Sequence, residues 1–308
     1  MLADNTQLNP VFSQMFQDIR EAVGSTQPIE VAYKDNVPEE GTVRGFRLSG
    51  AGDKARKQAF HTYTKAYDST DQEEPNANSR NSIQLAVGKF LHDYIRLKIS
   101  ADPRFKLTHV EGDVTWRGIP GHIDMVLEYQ GLKFLVDIKT TGHYSYCNTD
   151  PGNPEKGYWR RARCWKGRYY LFNAWSFEDS PFSKKYINQI LTYKRAVYKT
   201  YGLKVNGVLF YLVSRDTGHQ ALGVLVTNPE KEIQFLQESA ESFREGQKAK
   251  SPYDLPQCYE NTVGKPLALV CQYCAYRGLC YETRPGAKAP IVTRILTDWP
   301  TEQQAKEK

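Results

Sequence analysis

Three residues in the middle of the chain carry the strongest chemical signal. Asp124, Asp137 and Lys139 lie within Gly121–Thr141 (GHIDMVLEYQGLKFLVDIKTT), where two alternating runs flank Gln130-Gly131. A two-residue gap with glycine second has the length and composition of a tight hairpin turn. With that turn, Asp124 faces Asp137, His122 faces Lys139, Val126 faces Leu135 and Glu128 faces Lys133. Directly opposed residues hold their Cβ atoms about 4.5–5.5 Å apart. Two carboxylates at that separation repel unless a cation sits between them. Oxygen donors favour Mg²⁺ or Mn²⁺ over softer ions. Lys139 shares the face of Asp137 and stands near any water on such an ion. The opposite face pairs Ile123 with Ile138, Met125 with Val136, Leu127 with Phe134, and Tyr129 with Leu132, an apolar surface for the core. A surface hairpin with incidental charges leaves unexplained why Asp137 and Lys139 interrupt the apolar run FLVDIK.

Two further clusters could do chemistry. Cys271-Gln-Tyr-Cys274 followed by Cys280 gives C-x2-C-x5-C. Isolated cysteines are usually scattered and buried, so three thiols this close suit a metal or cluster. Tyr158–Arg168 (YWRRARCWKGR) brings together Arg160, Arg161, Arg163, Lys166 and Arg168 with three aromatics and no acid. That mixture fits phosphates plus stacked bases, and equally a solvated charged loop.

The rest of the chain must position these groups. Its 308 residues are 40% hydrophobic and 25% charged, which excludes a disordered polymer and allows a full core. The net charge of +6 is modest and decides no partner. The apolar run Gly207–Val213 is far too short to cross a bilayer. Met1–Pro10 is polar and lacks a leader pattern, so a cytoplasmic location and reduced thiols are expected. No phosphate-binding G-x-x-x-x-G-K-[ST] sequence occurs, so any unwinding would come from a partner.

Periodicity predicts a helix from Pro10 within an N-terminal extension, residues 1–40. A polar loop is expected over Asp68–Asn81. A helix over Ser82–Ser100 should bury Ile83, Ala86, Phe90, Tyr94 and Leu97. Strands follow through Thr108–Lys139, then an irregular insertion over Gly142–Pro181. Next come a helix at Lys184–Tyr201, strands at Val205–Ser214 and Gln220–Val226, and a helix at Glu230–Lys248. A main body would span 41–251, a cysteine segment 252–283 and a tail 284–308. Runs of strands rather than strict alternation point to an α/β (α+β) class with a mixed central sheet flanked by helices.

GHIDMVLEYQGLKFLVDIKTT resembles the G-x-x-D, hairpin, D-x-K signature of the PD-(D/E)XK nucleases, in their RecB-like branch. Gly88-Lys-Phe-Leu-His92 is similar to that branch's G-x-x-x-H motif, and Gln189-Ile-Leu-Thr-Tyr193 to its Q-x-x-x-Y motif. Four short motifs stand in the right order on suitable elements, over roughly Val43–Tyr281. The resemblance implies a restriction-endonuclease-like core. It implies a metal held by His92, Asp124, Asp137 and the Ile138 carbonyl, with Lys139 catalytic and Gln189 and Tyr193 assisting. Each of those pairs also shares a helix face: Gly88 with His92, and Gln189 with Tyr193.

CQYCAYRGLC is similar to the cysteine triplet of the branch's iron–sulfur members, which implies a [4Fe–4S] cluster stapling the C-terminal segment. A closed site needs a fourth thiolate. Where the family carries it, in S-x-x-G-x-C-x-R, this chain has Ser49-Gly-Ala-Gly52-Asp-Lys54-Ala-Arg56. Cys258 is then the nearest substitute, joining Cys271, Cys274 and Cys280, and zinc becomes an alternative metal. Cys147 and Cys164 are further candidates. The expected activity is metal-dependent hydrolysis of DNA, by an exonuclease acting with a helicase or recombination partner in recombination, repair or phage DNA processing. A CRISPR-adaptation nuclease and a non-catalytic DNA-binding protein are the alternatives.

Overall fold

Gln130 and Gly131 have φ of 51° and 75°. Both central residues are thus left-handed, as a type I′ hairpin turn requires. In the computed structural model this hairpin is part of a larger sheet. The structure describes residues 5–30, 46–63, 75–141, 163–165, 169–173, 181–215, 218, 220–226 and 229–256, with Cys258, Cys274, Tyr276 and Cys280.

The helices are α1 (Asn5–Gly24), α2 (Ala55–Tyr63), α3 (Pro75–Ala101), α4 (Pro181–Tyr201) and α5 (Pro229–Lys248). The strands are β1 (Phe105–Trp116), β2 (Ile119–Tyr129), β3 (Leu132–Thr141), β4 (Arg163–Trp165), β5 (Tyr169–Asn173), β6 (Gly207–Ser214) and β7 (Gln220–Val226). They form one seven-stranded sheet in the order β1-β2-β3-β6-β7-β5-β4. The pairs β3–β6 and β5–β7 are parallel, and the other neighbours are antiparallel. This is the mixed sheet flanked by helices that the strand runs predict. The insertion also contributes to it, because β4 and β5 extend the sheet from β7.

The two sheet faces bury different residues of the same strands. Val126 and Leu135 pack with Ile187, Ile190 and Leu191 of α4 and with Phe235 and Phe243 of α5. Met125, Phe134 and Val136 pack with Phe12, Met15 and Ile19 of α1 and with Ile95 and Ile99 of α3. Strand β3 lies between β2 and β6 and is covered on both sides, which is why FLV and Ile138 are continuously apolar.

Three expectations change. Helix α1 is no appendage: Phe12, Met15 and Ile19 are almost wholly buried against the sheet. At about 1.5–3 kcal/mol for each large apolar side chain buried, α1 is integral to the core. Residues 75–81 belong to α3 rather than to a loop. The inner face of α3 is set by Ile95 and Ile99, whereas Phe90 is 46% exposed. Apolar residues surround this helix, so periodicity alone did not single out its buried stripe.

Candidate functional site

The β2–β3 ladder follows the expected register from Tyr129↔Leu132 to Met125↔Val136 and ends there. Beyond it, β2 stays paired with β1, and β3 stays paired with β6 as far as Thr141↔Ser214. The strands therefore part at Asp124 and Asp137. Asp124 uses the opening: its Oδ2 accepts a hydrogen bond from the Ile138 N–H at 2.6 Å. The carboxylate takes a backbone donor that the ladder leaves unpaired. This corrects the expected ladder pairing of Asp124 with Asp137. It also removes His122 from Lys139, since His122 is exposed and sits 2.9 Å from Asp113 Oδ1.

Asp137 and Lys139 share a face of β3 because strand side chains repeat every two residues. Asp137 is 5% exposed, and its Oδ2 lies 2.7 Å from Lys139 Nζ. Lys139 Nζ also donates to Gln189 Oε1 at 3.4 Å. The same ammonium lies 5.0 Å from the ring centroid of Tyr186. His92 comes from α3, with Nδ1 3.7 Å from Asp124 Oδ2. Gly88 permits this approach, because a Cβ there would stand 3.2 Å from Thr140 Oγ1. Gly121 plays the same part for α4: an added Cβ would come within 2.7 Å of Leu48 Cβ and 2.9 Å of Tyr193 Cε1.

The structure thus brings together His92, Asp124, Asp137, Lys139 and Gln189, with Tyr193 buried beside them. Arg96 and Tyr186 complete the surroundings and were missed in the sequence. Arg96 lies one helical turn beyond His92, is ion-paired to Asp93, and places Nη1 2.6 Å from Glu111 Oε1. Tyr186 stands three residues before Gln189 on the same helix face. Helical spacing from the motif residues would have found both.

Burial governs the titration of this group. It lifts the Asp137 carboxyl to about 6, with the Asp124 charge adding to the lift and Lys139 opposing it. Burial raises Asp124 as well, against Lys139 and the Ile138 N–H. Burial pulls the Lys139 ammonium down, but the two carboxylates outweigh it, so its net shift is upward. Burial lowers the His92 imidazole to about 4, helped by Lys139 and Arg96. His92 is therefore neutral near pH 7, the form that binds metals. Burial pushes the Tyr193 phenol up to about 12, so it stays protonated.

The donor set suits a hard divalent cation: two carboxylates, a neutral imidazole and the adjacent Ile138 carbonyl. The fit rests on the Asp137 Oδ2 atom, which is buried with no aligned hydrogen-bond donor despite its ion-pair contact. As placed, no group of three His, Cys, Asp or Glu side chains among the described residues converges closely enough to hold a metal ion. Lys139 instead covers that oxygen, so an ion at Asp137 would have to displace an ammonium.

The cysteines are seen in part. Cys258, Cys274 and Cys280 are half-buried and form no disulfide. Cys274 and Cys280 pack around Tyr276 and Phe60 of α2, whose rings stack at 5.2 Å. Thus Cys274, Tyr276 and Cys280 sit against α2, the helix that follows Ser49–Lys54. Lys54 itself is exposed. Cys271 and Cys147 lie outside the described residues, as do Arg160, Arg161, Lys166 and Arg168. Arg163 and Cys164 are placed only as backbone of β4, the outermost strand beyond β5.

No protein-family model and no curated protein matches the chain. Among solved structures, one described as the crystal structure of SSO0001 is similar over 91% of this chain and 96% of that chain, at 8% identity and a TM-score of 0.37. So loose a likeness carries no argument about function. Among the described residues, no helix is long and apolar enough to cross a membrane.

Proposed function

We propose that this chain is a divalent-metal-dependent deoxyribonuclease, an exonuclease that hydrolyses phosphodiester bonds at DNA ends in recombination, repair or phage DNA processing. One observation carries this: where β2 and β3 part, the buried carboxylate of Asp137, the half-buried carboxylate of Asp124 and a lysine ammonium come together, with a helical histidine beside them. Asp124, Asp137, His92 and the Ile138 carbonyl would hold Mg²⁺ or Mn²⁺. Such an ion, when bound, polarises a phosphoryl oxygen and lowers the pKa of bound water.

The chain's own groups supply the rest. Asp124 is fixed by the Ile138 N–H, so it is oriented before any ligand arrives. Lys139 keeps its proton at neutral pH and is the donor for negative charge developing on the phosphate. Gln189 and the Tyr186 ring hold that ammonium in place. Tyr193, protonated, is suited to donate a hydrogen bond rather than to act as a base. The basic stretch Arg160–Arg168 would track the strand. The cysteine segment would take a [4Fe–4S] cluster, or zinc in its place, as a staple on α2.

End-labelled single- and double-stranded DNA incubated with Mg²⁺ or Mn²⁺ tests the proposal. Wild-type protein should degrade at least one of these forms, and Asp124→Asn and Lys139→Ala should do so at least about 10²-fold more slowly while remaining folded by circular dichroism. Absence of divalent-dependent cleavage in protein with its cysteine metal intact would falsify it. Iron, sulfide and zinc analysis of anaerobically purified protein decides the cysteine metal.

A further inference from the structure

We propose that the groove between α4, α5 and the β1–β2 turn docks an acidic peptide segment of a partner protein, anchored by apolar side chains. The groove encloses about 1240 Å³. It lies apart from the candidate active site. Lys194 and Tyr198 line it, and they follow Gln189 by five and nine residues. At roughly 100° per residue they point to the far side of α4.

The floor is aliphatic, formed by Leu132, Leu203, Val205 and Leu236. Ile233 and Tyr198 stand at its lip, 54% and 39% exposed. Together with the aliphatic floor they make one continuous apolar surface open to water, the kind of patch that marks an interaction site when polar residues rim it. Cationic residues surround this floor: the lining holds five lysines and arginines against the single carboxylate of Glu232. Lys194 pairs with Glu232 at 2.8 Å, which leaves Arg117, Arg195, Lys199 and Lys204 in excess. Aliphatic depth within a cationic border is complementary to leucine or phenylalanine carried among aspartates and glutamates.

A nucleic-acid strand fits less well. Strand binding uses open ring faces on which successive bases stack. Here Trp116 is 7% exposed, and the Arg117 guanidinium lies 5.2 Å from its centroid. Tyr198 alone among the lining aromatics presents an open surface, and the Arg195 guanidinium already lies 5.6 Å from its ring.

Fluorescence anisotropy on the full chain tests the groove with three labelled probes. The first is a short peptide of Asp and Glu with Leu and Phe one helical turn apart. The second replaces Leu and Phe by Ser, and the third is oligo-dT. The first should bind with a micromolar Kd near 0.1 M salt, more weakly as salt rises. The serine peptide should bind at least about 10-fold more weakly. The double variant Arg195→Glu/Lys199→Glu, and separately Ile233→Ser, should each lower affinity about 10-fold with unchanged thermal unfolding. The proposal is overturned by no binding of the first peptide up to about 1 mM, a concentration at which even weak contacts register. It is equally overturned by binding that survives both variants, or by oligo-dT binding more tightly and displacing the peptide.

Discussion

Replacing Asp137 by Asn should stabilise the metal-free protein at pH 8 and leave it unchanged near pH 4. The folded-state carboxyl titrates at about 6, because burial and the Asp124 charge outweigh the help of Lys139. In the unfolded chain the same group titrates near ~3.9. The folded pKa is the higher one, so its contribution to stability is fully present below ~4 and is lost as pH rises through about 6. Two pH units at about 1.4 kcal/mol each make that loss about 3 kcal/mol. Asparagine has the shape of the protonated acid and does not titrate, so the variant escapes the loss. Urea unfolding followed by circular dichroism, in EDTA, measures it at half-unit steps from pH 4 to 8. The gap between variant and wild type should open above pH ~4 and level off above ~6.5, with a rise in Tm of about 5 °C at pH 8. A gap that is flat with pH, or a variant less stable at pH 8, refutes the idea that a buried, mutually repelling carboxylate sits at this position.

The other predictions use the same geometry. Mg²⁺ or Mn²⁺ should raise the Tm of wild type at pH 8 but not of Asp137→Asn, which differential scanning fluorimetry would register; equal shifts would place ion binding elsewhere. Lys139→Ala should lower DNA cleavage about 10²–10³-fold, and Lys139→Arg should restore little, because a guanidinium does not sit on Asp137 and Gln189 as a point-like ammonium does; single-turnover assays measure both. The acid limb of the cleavage rate should follow the Asp137 carboxyl near pH 6 and stay in place in His92→Gln, since the imidazole titrates at about 4. Gly121→Ala should destabilise by about 1–3 kcal/mol in urea unfolding, because Leu48 and Tyr193 occupy the space of the new methyl group.

The hairpin was legible because its information is local. A Gln-Gly turn and two alternating runs fix the register from Tyr129↔Leu132 to Met125↔Val136, and strand parity then puts Asp137 and Lys139 on one face. Helix spacing likewise places Gln189 with Tyr193 and Gly88 with His92. The family resemblance assembled these pieces in one place. No local pattern says where a ladder stops. That depends on β1 and β6, which claim the outer edges of β2 and β3 and draw the strands apart where Asp124 turns to the Ile138 amide. Nor did periodicity find the buried stripe of α3 or the role of α1, since both are set by which face of the sheet lies nearby. Side-chain types, spacing and turn are written along the chain and were decided by the sequence. How deeply the carboxylates are buried, and hence how strongly they repel, came only from helices distant in sequence closing over both faces of the sheet, because desolvation depends on everything packed around a charge.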